Sequence, residues 1–295
     1  MTSGTALRTA VTGLIMQAAA EEEMLLSSAP REEQGGPDRW AAIPVITHNS
    51  EFRQQQVIRL DAVRAGTTPP GFPEIDHQST QVYQFYAAQT AAEVTRQSRQ
   101  SVTQLIDGLN AVSDDDLSDS SRHPWLRGRQ LWLQVVVRGF WHPTGHIGEY
   151  YITRHQPARA VDLHAHALAT ARYLGVPGMA LGMAAYSLSC AQAQAGASGQ
   201  ALQTLAEAMS LNPDLRANAA RDPDLAPLRA IGQFDVLTDR GHGRPDGMTR
   251  CSQPNTRPRR QPGHARRWRY STAQTPLAGH IALAEDPVRW ISATA

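Results

Sequence analysis

Four stretches in the first half of the chain repeat apolar residues with the 3.6-residue period of an α-helix. They span residues 4–27, about 38–66, 78–112 and about 127–155, and polar or proline-rich segments separate them. Each helix must bury its apolar stripe, and four helices can do so against one another. The pattern therefore predicts an all-α fold whose first part, residues 1–156, is a four-helix bundle with a long connection between the second and third helices.

Three local features bear on this bundle. Asp38 is the predicted N-cap of the second helix. The acidic segment 113–124 could bind a hard cation through Asp114, Asp115, Asp116 and Asp119, but it lacks the glycine and spaced glutamate of an EF-hand. We therefore favour a solvated loop there. Pro143 is expected to bend the fourth helix or to restart it at His142, with the proline in its first turn.

Residues 157–239 are also predicted to be helical, but their composition differs from that of the bundle. Two short alanine-rich helices, 178–195 and 199–211, lie on either side of Gly196. Asn212 and Pro213 should end the second of them, because a proline disfavours helical backbone in the residue before it. The sequence therefore predicts a helical hairpin after the bundle.

The last part of the chain, residues 240–295, loses this periodicity and gains proline, glycine and arginine. It holds ten arginines against three acidic residues, a composition that favours a disordered tail. A short helix over residues 281–291 could still form. Arginines beside Trp268 and Tyr270 could bind nucleic acid by charge and stacking. Since no recognised nucleic-acid fold accompanies them, we expect no nucleic-acid partner.

The bulk composition excludes several classes of protein. The chain has 295 residues, of which 41% are hydrophobic and 19% charged, as in globular proteins. Two cysteines, Cys190 and Cys251, cannot form a disulfide framework. Arg8 and the run Glu21 to Glu23 interrupt the apolar residues near the start, which predicts neither a signal peptide nor a membrane span. We expect a cytoplasmic protein without membrane association.

His142 and His146 lie four residues apart, so on a helix they project from one face and could bind one ion. A stable site takes three or four protein ligands, and His48 on the second helix is the candidate third. Imidazole suits zinc, nickel, iron or copper. Glu149, if it faces the site, could orient a ligand or act as a general base. The alternative is that these histidines are ordinary core residues.

Two segments resemble the DinB-like superfamily of helical bundles. WAAIPVITHN, Trp40 to Asn49, is similar to the start of that family's second helix, and FWHPTGHIGEYY, Phe140 to Tyr151, to its closing His-x-x-x-His helix. The resemblance covers roughly residues 4–155 and implies a triad of histidine ligands, His48, His142 and His146, for a divalent metal, often zinc or nickel. It also implies thiol-dependent transferases, isomerases or hydrolases of small reactive compounds. Pro143 departs from the plainer helix of many members.

Residues 184–213 resemble one tetratricopeptide repeat, whose small-residue and stop positions are occupied by Ala191, Gly196, Ala201, Ala208 and Pro213. The segment Asp222 to Leu228 looks like the ending that follows the last such repeat. A solenoid needs at least three repeats, so this one must pack on the bundle or on a second subunit. We favour a structural hairpin over a peptide-binding groove.

These features predict a divalent-metal-binding DinB-like protein that holds zinc, nickel or iron. Its activity would be that of a metal-dependent hydrolase or thiol-dependent transferase acting on a small reactive compound, with a low-molecular-weight thiol as one co-substrate. The sequence leaves open whether the chain is an enzyme. The alternative is a non-catalytic scaffold or stress-associated binding protein that recruits a protein partner through residues 178–237. Bundles of this type often pair, so a homodimer is a further expectation.

Overall fold

All regular secondary structure in the described part of the chain is helical. The computed structural model describes residues 4–30, 33–72 and 80–238, and no β-strand occurs in these ranges. The predicted all-α class is therefore confirmed. Each helix in the same ranges lacks the length or the apolar character needed to cross a lipid bilayer. The predicted disordered tail, residues 240–295, lies outside the described residues.

The first two helices are α1, Gly4–Ser28, and α2, Ala42–Arg64. The prediction that Asp38 caps α2 is wrong, because the helix begins later and Ala41 occupies the N-cap position without a side-chain hydrogen bond. The cap comes instead from Glu33, whose Oε2 accepts a hydrogen bond from the N–H of Ala42 at 2.7 Å. A carboxylate at this end also complements the positive end of the helix dipole.

The single helix predicted over 78–112 is wrong, since two helices occupy this part of the chain. They are α3, Thr80–Ala87, and α4, Ala91–Ala111. Thr90 accepts a hydrogen bond from the Glu93 N–H at 3.3 Å, and the Glu93 carboxylate accepts one from the Thr90 N–H at 2.9 Å. This reciprocal capping box starts a new helix at Ala91 and interrupts the apolar periodicity.

The acidic segment that was predicted to be a solvated loop contains a short helix, α5, Asp114–Ser118. Ser113 caps it by accepting a hydrogen bond from the Asp116 N–H at 3.0 Å, and Leu117 is buried. A 3₁₀ turn follows at Pro124–Leu126. The loop prediction is therefore wrong for this helical turn.

The fourth predicted helix is continuous in space but changes its winding in the middle. It consists of α6, Leu131–Val136, a π-helical turn, Val137–Trp141, and α7, His142–Thr153. The N–H of His142 donates to the carbonyl of Val137, five residues back. Pro143 lies in the first turn of α7, as predicted, where its missing N–H costs little.

The second half of the described chain is a series of helices. Both predicted alanine-rich helices are present within one residue of their predicted limits. The helices of this half are α8, Pro157–Tyr173, α9, Gly178–Gln194, α10, Ser198–Leu211, α11, Arg216–Ala219, and α12, Gly232–Thr238, with 3₁₀ turns at Pro213–Leu215 and Pro223–Leu228.

One hydrophobic core connects the bundle helices with the C-terminal helices. It contains Leu14 of α1 and Phe140 of the π-helical turn together with Tyr186, Leu205 and Leu228 from the C-terminal half. Helix α8 packs on both α7 and α9, and α9 packs on α10. Helices α8 to α10 therefore pack on one another and on α7 of the same chain. Recruitment of a protein partner through residues 178–237 stays a prediction.

Candidate metal centre

Helices α2 and α7 bring the three predicted histidine ligands together. His48 lies on the inward face of α2 and is fully buried. His142 and His146 lie one turn apart at the start of α7, with His142 buried and the His146 side chain 20% exposed. The i, i+4 spacing on α7 and the packing of α7 against α2 produce this arrangement, which we call the histidine cluster.

The ring nitrogens of the histidine cluster are close enough to share one ion. Ligand atoms from all three side chains lie within 4.8 Å of one another, and the Nε2 atoms of His48 and His142 are 3.0 Å apart. Zinc–imidazole bonds of about 2.0–2.1 Å in a tetrahedral site separate two ligand nitrogens by about 3.3 Å. A slight opening of this pair would admit an ion, so the three histidines could hold a metal.

Aromatic side chains form the wall around the histidine cluster. Trp40, just before α2, lies edge-on to His48 at 5.4 Å and parallel to His146 at 6.5 Å between ring centroids. Phe52 stacks on His142 at 4.2 Å. These rings exclude water and lower the local dielectric, which strengthens electrostatic interactions within the cluster. Trp40 therefore lies against two of the three histidines.

Tyr86 of α3 completes this wall and was missed by sequence reasoning. Its ring centroid lies 5.8 Å from that of His48, and its hydroxyl donates a hydrogen bond to Glu51. Burial, followed by the hydrogen bond to Glu51, raises the pKa of Tyr86 far above its usual value. Tyr86 therefore stays a neutral phenol, and the apolar period of α3 marks it only as a core residue.

Glu149 faces one member of the histidine cluster. Its Oε2 lies 3.4 Å from Nδ1 of His146, and its side chain is 41% exposed. The two residues are three apart on α7, so the helix itself sets this approach. A carboxylate beside one ring nitrogen orients the imidazole and directs its other nitrogen elsewhere. The two roles predicted for Glu149, orienting a ligand or acting as a general base, stay predictions.

A buried ion pair lies among α1, α2 and α4. Glu22 and Arg53 are both fully buried and form two hydrogen bonds of 2.8 Å. The same carboxylate accepts hydrogen bonds from Asn49 at 2.9 Å and from Ser98 at 2.7 Å, while Arg53 donates to Ser101 at 2.8 Å. Because Asn49 follows His48 directly, this network fixes the rotation of α2 that turns His48 inward.

The burial of Arg53 was not predicted from the sequence, although its spacing from apolar residues carries a signal. Arg53 lies seven residues after Ile46 and seven before Leu60, and both of these are fully buried. A seven-residue spacing places all three on one face of a helix. A charged residue in that register indicates a buried partner, but the sequence does not identify Glu22 as that partner.

The remaining histidines of interest lie apart from the cluster. His164 is buried on α8, and burial lowers its pKa to about 4. A Cβ on Gly148 of α7 would come within 2.5 Å of His164 Nε2. His166 lies two residues after His164, and its side chain is 62% exposed. Nδ1 of His166 lies 3.1 Å from Oε1 of Glu21.

A second group, formed by Cys190, Asp222 and Asp224, has ligand atoms within 4.8 Å of one another. Asp222 serves as a cap, accepting hydrogen bonds from the Tyr186 hydroxyl at 2.7 Å and the Asp224 N–H at 3.0 Å. Burial and the neighbouring Asp222 and Glu149 carboxylates raise the pKa of Asp224 to about 7. Burial also raises the pKa of the Cys190 thiol. These contacts give the group a structural role at the hairpin.

Neither a family model, nor a curated protein, nor a solved structure matches this chain. The similarity to the DinB-like superfamily and to a tetratricopeptide repeat therefore stays a prediction.

Proposed function

We propose that the chain binds one divalent transition-metal ion, zinc, nickel or iron, through His48, His142 and His146. The observation that carries the proposal is the convergence of three imidazoles from two helices, with ligand atoms within 4.8 Å of one another. Neutral imidazole is a good ligand for these ions. A three-ligand set also leaves a position for water or a substrate, as in catalytic zinc sites.

We further propose that the protein is a metal-dependent hydrolase or a thiol-dependent transferase acting on a small reactive compound. A divalent ion at this site would supply the Lewis acidity that favours ionisation of water or a thiol near neutral pH. The aromatic wall formed by Trp40, Phe52 and Tyr86 supports a small apolar substrate, since it surrounds the cluster with ring surface.

In this proposal Glu149 is a positioning residue. Its carboxylate lies 3.4 Å from Nδ1 of His146, where it can hold the ring orientation and accept the Nδ1 proton. Replacement by Gln keeps the size of the side chain and removes its charge. Glu149→Gln should therefore weaken metal affinity about tenfold to 100-fold, the usual effect of losing an outer-shell partner.

The activity is tested by comparing metal-free protein with protein loaded with zinc, nickel or iron(II). Two assays are run, hydrolysis of an activated ester and transfer of a low-molecular-weight thiol to an aryl halide. We expect turnover in at least one loaded form, and loss of that turnover in His142→Ala. His166→Ala, on the exposed face of α8, is the matched control. Equal rates in metal-free protein or in His142→Ala would contradict the proposed activity.

A further inference from the structure

A cavity of about 390 Å³ lies between the loop that precedes α2 and the C-terminal end of α7. Glu33 and Arg39 line it from the loop, and Tyr150, Arg154 and His155 line it from the helix end. We call it the arginine cavity. Two of the lining residues, Arg39 and Arg154, are cationic, which makes the cavity a candidate site for an anion.

Arg154 has donors that the described residues do not satisfy. Its Nε donates to Oε1 of Glu33, and its guanidinium carbon lies 3.8 Å from the ring centroid of Tyr150. The Nη1 and Nη2 atoms are shielded from solvent and have no hydrogen-bond acceptor in the described part of the chain. Buried guanidinium donors are normally paired, so this site favours an added acceptor.

Glu33 cannot supply that acceptor with its present contacts. Oε1 accepts from the Tyr150 hydroxyl at 2.7 Å as well as from Arg154, and Oε2 accepts from the Ala42 N–H at 2.7 Å. Burial and the hydrogen bond to Glu33 raise the pKa of Tyr150, so its hydroxyl remains a donor to this carboxylate. Glu33 is therefore committed to holding α2 and Arg154 in place.

The formal charges around the arginine cavity sum to one positive charge. Arg39 and Arg154 are cationic and Glu33 is anionic. His155 adopts a left-handed backbone conformation, φ 57°, at the end of α7, and its exposed side chain lines the same cavity. A bound monoanion would balance this charge, whereas a doubly charged phosphate would leave one negative charge uncompensated.

The arginine cavity adjoins the histidine cluster. Tyr150 lies four residues beyond His146 on α7, a rise of about 6 Å along the helix. Arg39 precedes Trp40, whose ring contacts both His48 and His146. The arginine cavity and the histidine cluster therefore share helix α7 and the segment that leads into α2.

We propose that the arginine cavity binds the carboxylate of a small monocarboxylate ligand, with paired hydrogen bonds from the Arg154 guanidinium. A planar guanidinium fork matches a carboxylate in geometry as well as charge. Gln34 and His155 are exposed side chains at the cavity, and they can move aside to admit the ligand. The carboxylate site itself does not rest on the proposed function. Only a role of its ligand as substrate or thiol co-substrate would rest on that function.

The test is ligand-observed ¹⁹F NMR of 4-fluorobenzoate with the full chain at constant ionic strength. We expect saturable line broadening that acetate reverses and that inorganic phosphate reverses only at higher concentration. Arg154→Lys, which keeps the charge but loses the fork, should weaken binding at least about tenfold. Arg39→Gln, at an exposed position, should weaken it severalfold.

Two controls separate the arginine cavity from other sites. Arg99→Gln removes an exposed arginine from α4 and should leave the affinity unchanged. The double variant His48→Ala, His142→Ala removes the proposed metal ligands and should retain binding, which excludes direct coordination of the carboxylate. This control remains valid even if the chain binds no metal.

Four outcomes would overturn the proposal. The first is the absence of saturable broadening in the wild-type protein, and the second is an unchanged affinity for 4-fluorobenzoate in both Arg39→Gln and Arg154→Lys. The third is loss of binding in the double histidine variant. The fourth is tighter binding of phosphate than of 4-fluorobenzoate. If Arg154→Lys fails to fold, Arg39→Gln decides the second outcome alone.

Discussion

At the scale of single residues, Glu22 and Arg53 form an ion pair whose two side chains are fully buried. Two charges removed from water need mutual attraction and complete hydrogen bonding to be tolerated. The carboxylate has both, since Asn49 and Ser98 donate to it in addition to Arg53. Its removal would leave an uncompensated guanidinium inside the helices.

We therefore predict that Glu22→Gln lowers the free energy of unfolding by about 3–5 kcal/mol, the usual loss when one partner of a buried ion pair is removed. Urea unfolding followed by circular dichroism measures this loss. The matched control is Glu23→Gln, whose partner Arg99 is exposed, and it should change stability by less than about 1 kcal/mol. Similar small effects of both substitutions would show that the buried pair is unimportant for stability.

His164 gives a second prediction at this scale. The pKa of His164 is about 4 in the folded protein because burial disfavours its charged form, compared with about 6.5 for an exposed histidine. Below pH 6.5 the unfolded chain binds a proton that the folded chain does not. The stability contributed by neutral His164 is thus complete above pH 6.5 and declines as the pH falls toward 4, by at most about 3 kcal/mol.

Urea unfolding at pH 7.0 and at pH 4.5 checks this pH dependence. In His164→Gln the stability difference between the two pH values should shrink, because the titrating group is gone. His155→Gln removes a histidine whose side chain is exposed at the end of α7 and should keep the wild-type difference. An unaltered difference in His164→Gln would mean that His164 is not the group responsible.

At the scale of elements, the start of α4 depends on the capping box of Thr90 and Glu93. Thr90→Ala should destabilise the protein by about 1 kcal/mol, because the Glu93 N–H loses its acceptor and the Glu93 carboxylate loses the Thr90 hydroxyl. Thr103→Ala, at an exposed position within α4, is the control and should be neutral or slightly stabilising. Thermal unfolding of both variants distinguishes a capping effect from a general effect of removing threonine.

The helix positions were largely predictable from the sequence, whereas the contacts between distant residues were not. The positions of α1, α9 and α10 follow from local periodicity and from glycine and proline, so they were predicted closely. The His142–His146 pair was found for the same reason, since its geometry is a property of one helix. The cap of α2 by Glu33 and the wall formed by Trp40 and Tyr86 join residues distant in sequence. Their contacts depend on packing that periodicity does not encode.

At the scale of the whole molecule, the shared hydrophobic core couples the C-terminal helices to the bundle. Leu205 of α10 is fully buried in the same core as Leu14 and Phe140. Leu205→Ala should therefore cost about 2–5 kcal/mol and shift the unfolding of the entire described region. A loss confined to the C-terminal helices would contradict a shared cooperative core.

Tryptophan fluorescence reports this coupling directly. Four of the six tryptophans, Trp40, Trp125, Trp132 and Trp141, precede α8, and the other two are Trp268 and Trp290. In a Trp268→Phe, Trp290→Phe background, the fluorescence transition reports only the first half of the chain. With Leu205→Ala added, it should shift together with the circular dichroism transition. A fluorescence transition that Leu205→Ala leaves unmoved would indicate two independent units.

The measurement that tests the central claim most directly is the metal content of the full chain after incubation with zinc and desalting. We predict about one ion per chain in the wild-type protein and almost none in His48→Ala, His142→Ala. The matched control, His155→Asn, His166→Asn, loses two histidines outside the cluster and should keep its ion. Equal metal content in the wild-type protein and the cluster variant, or no bound ion in either, would contradict the assignment of His48, His142 and His146 as a metal centre.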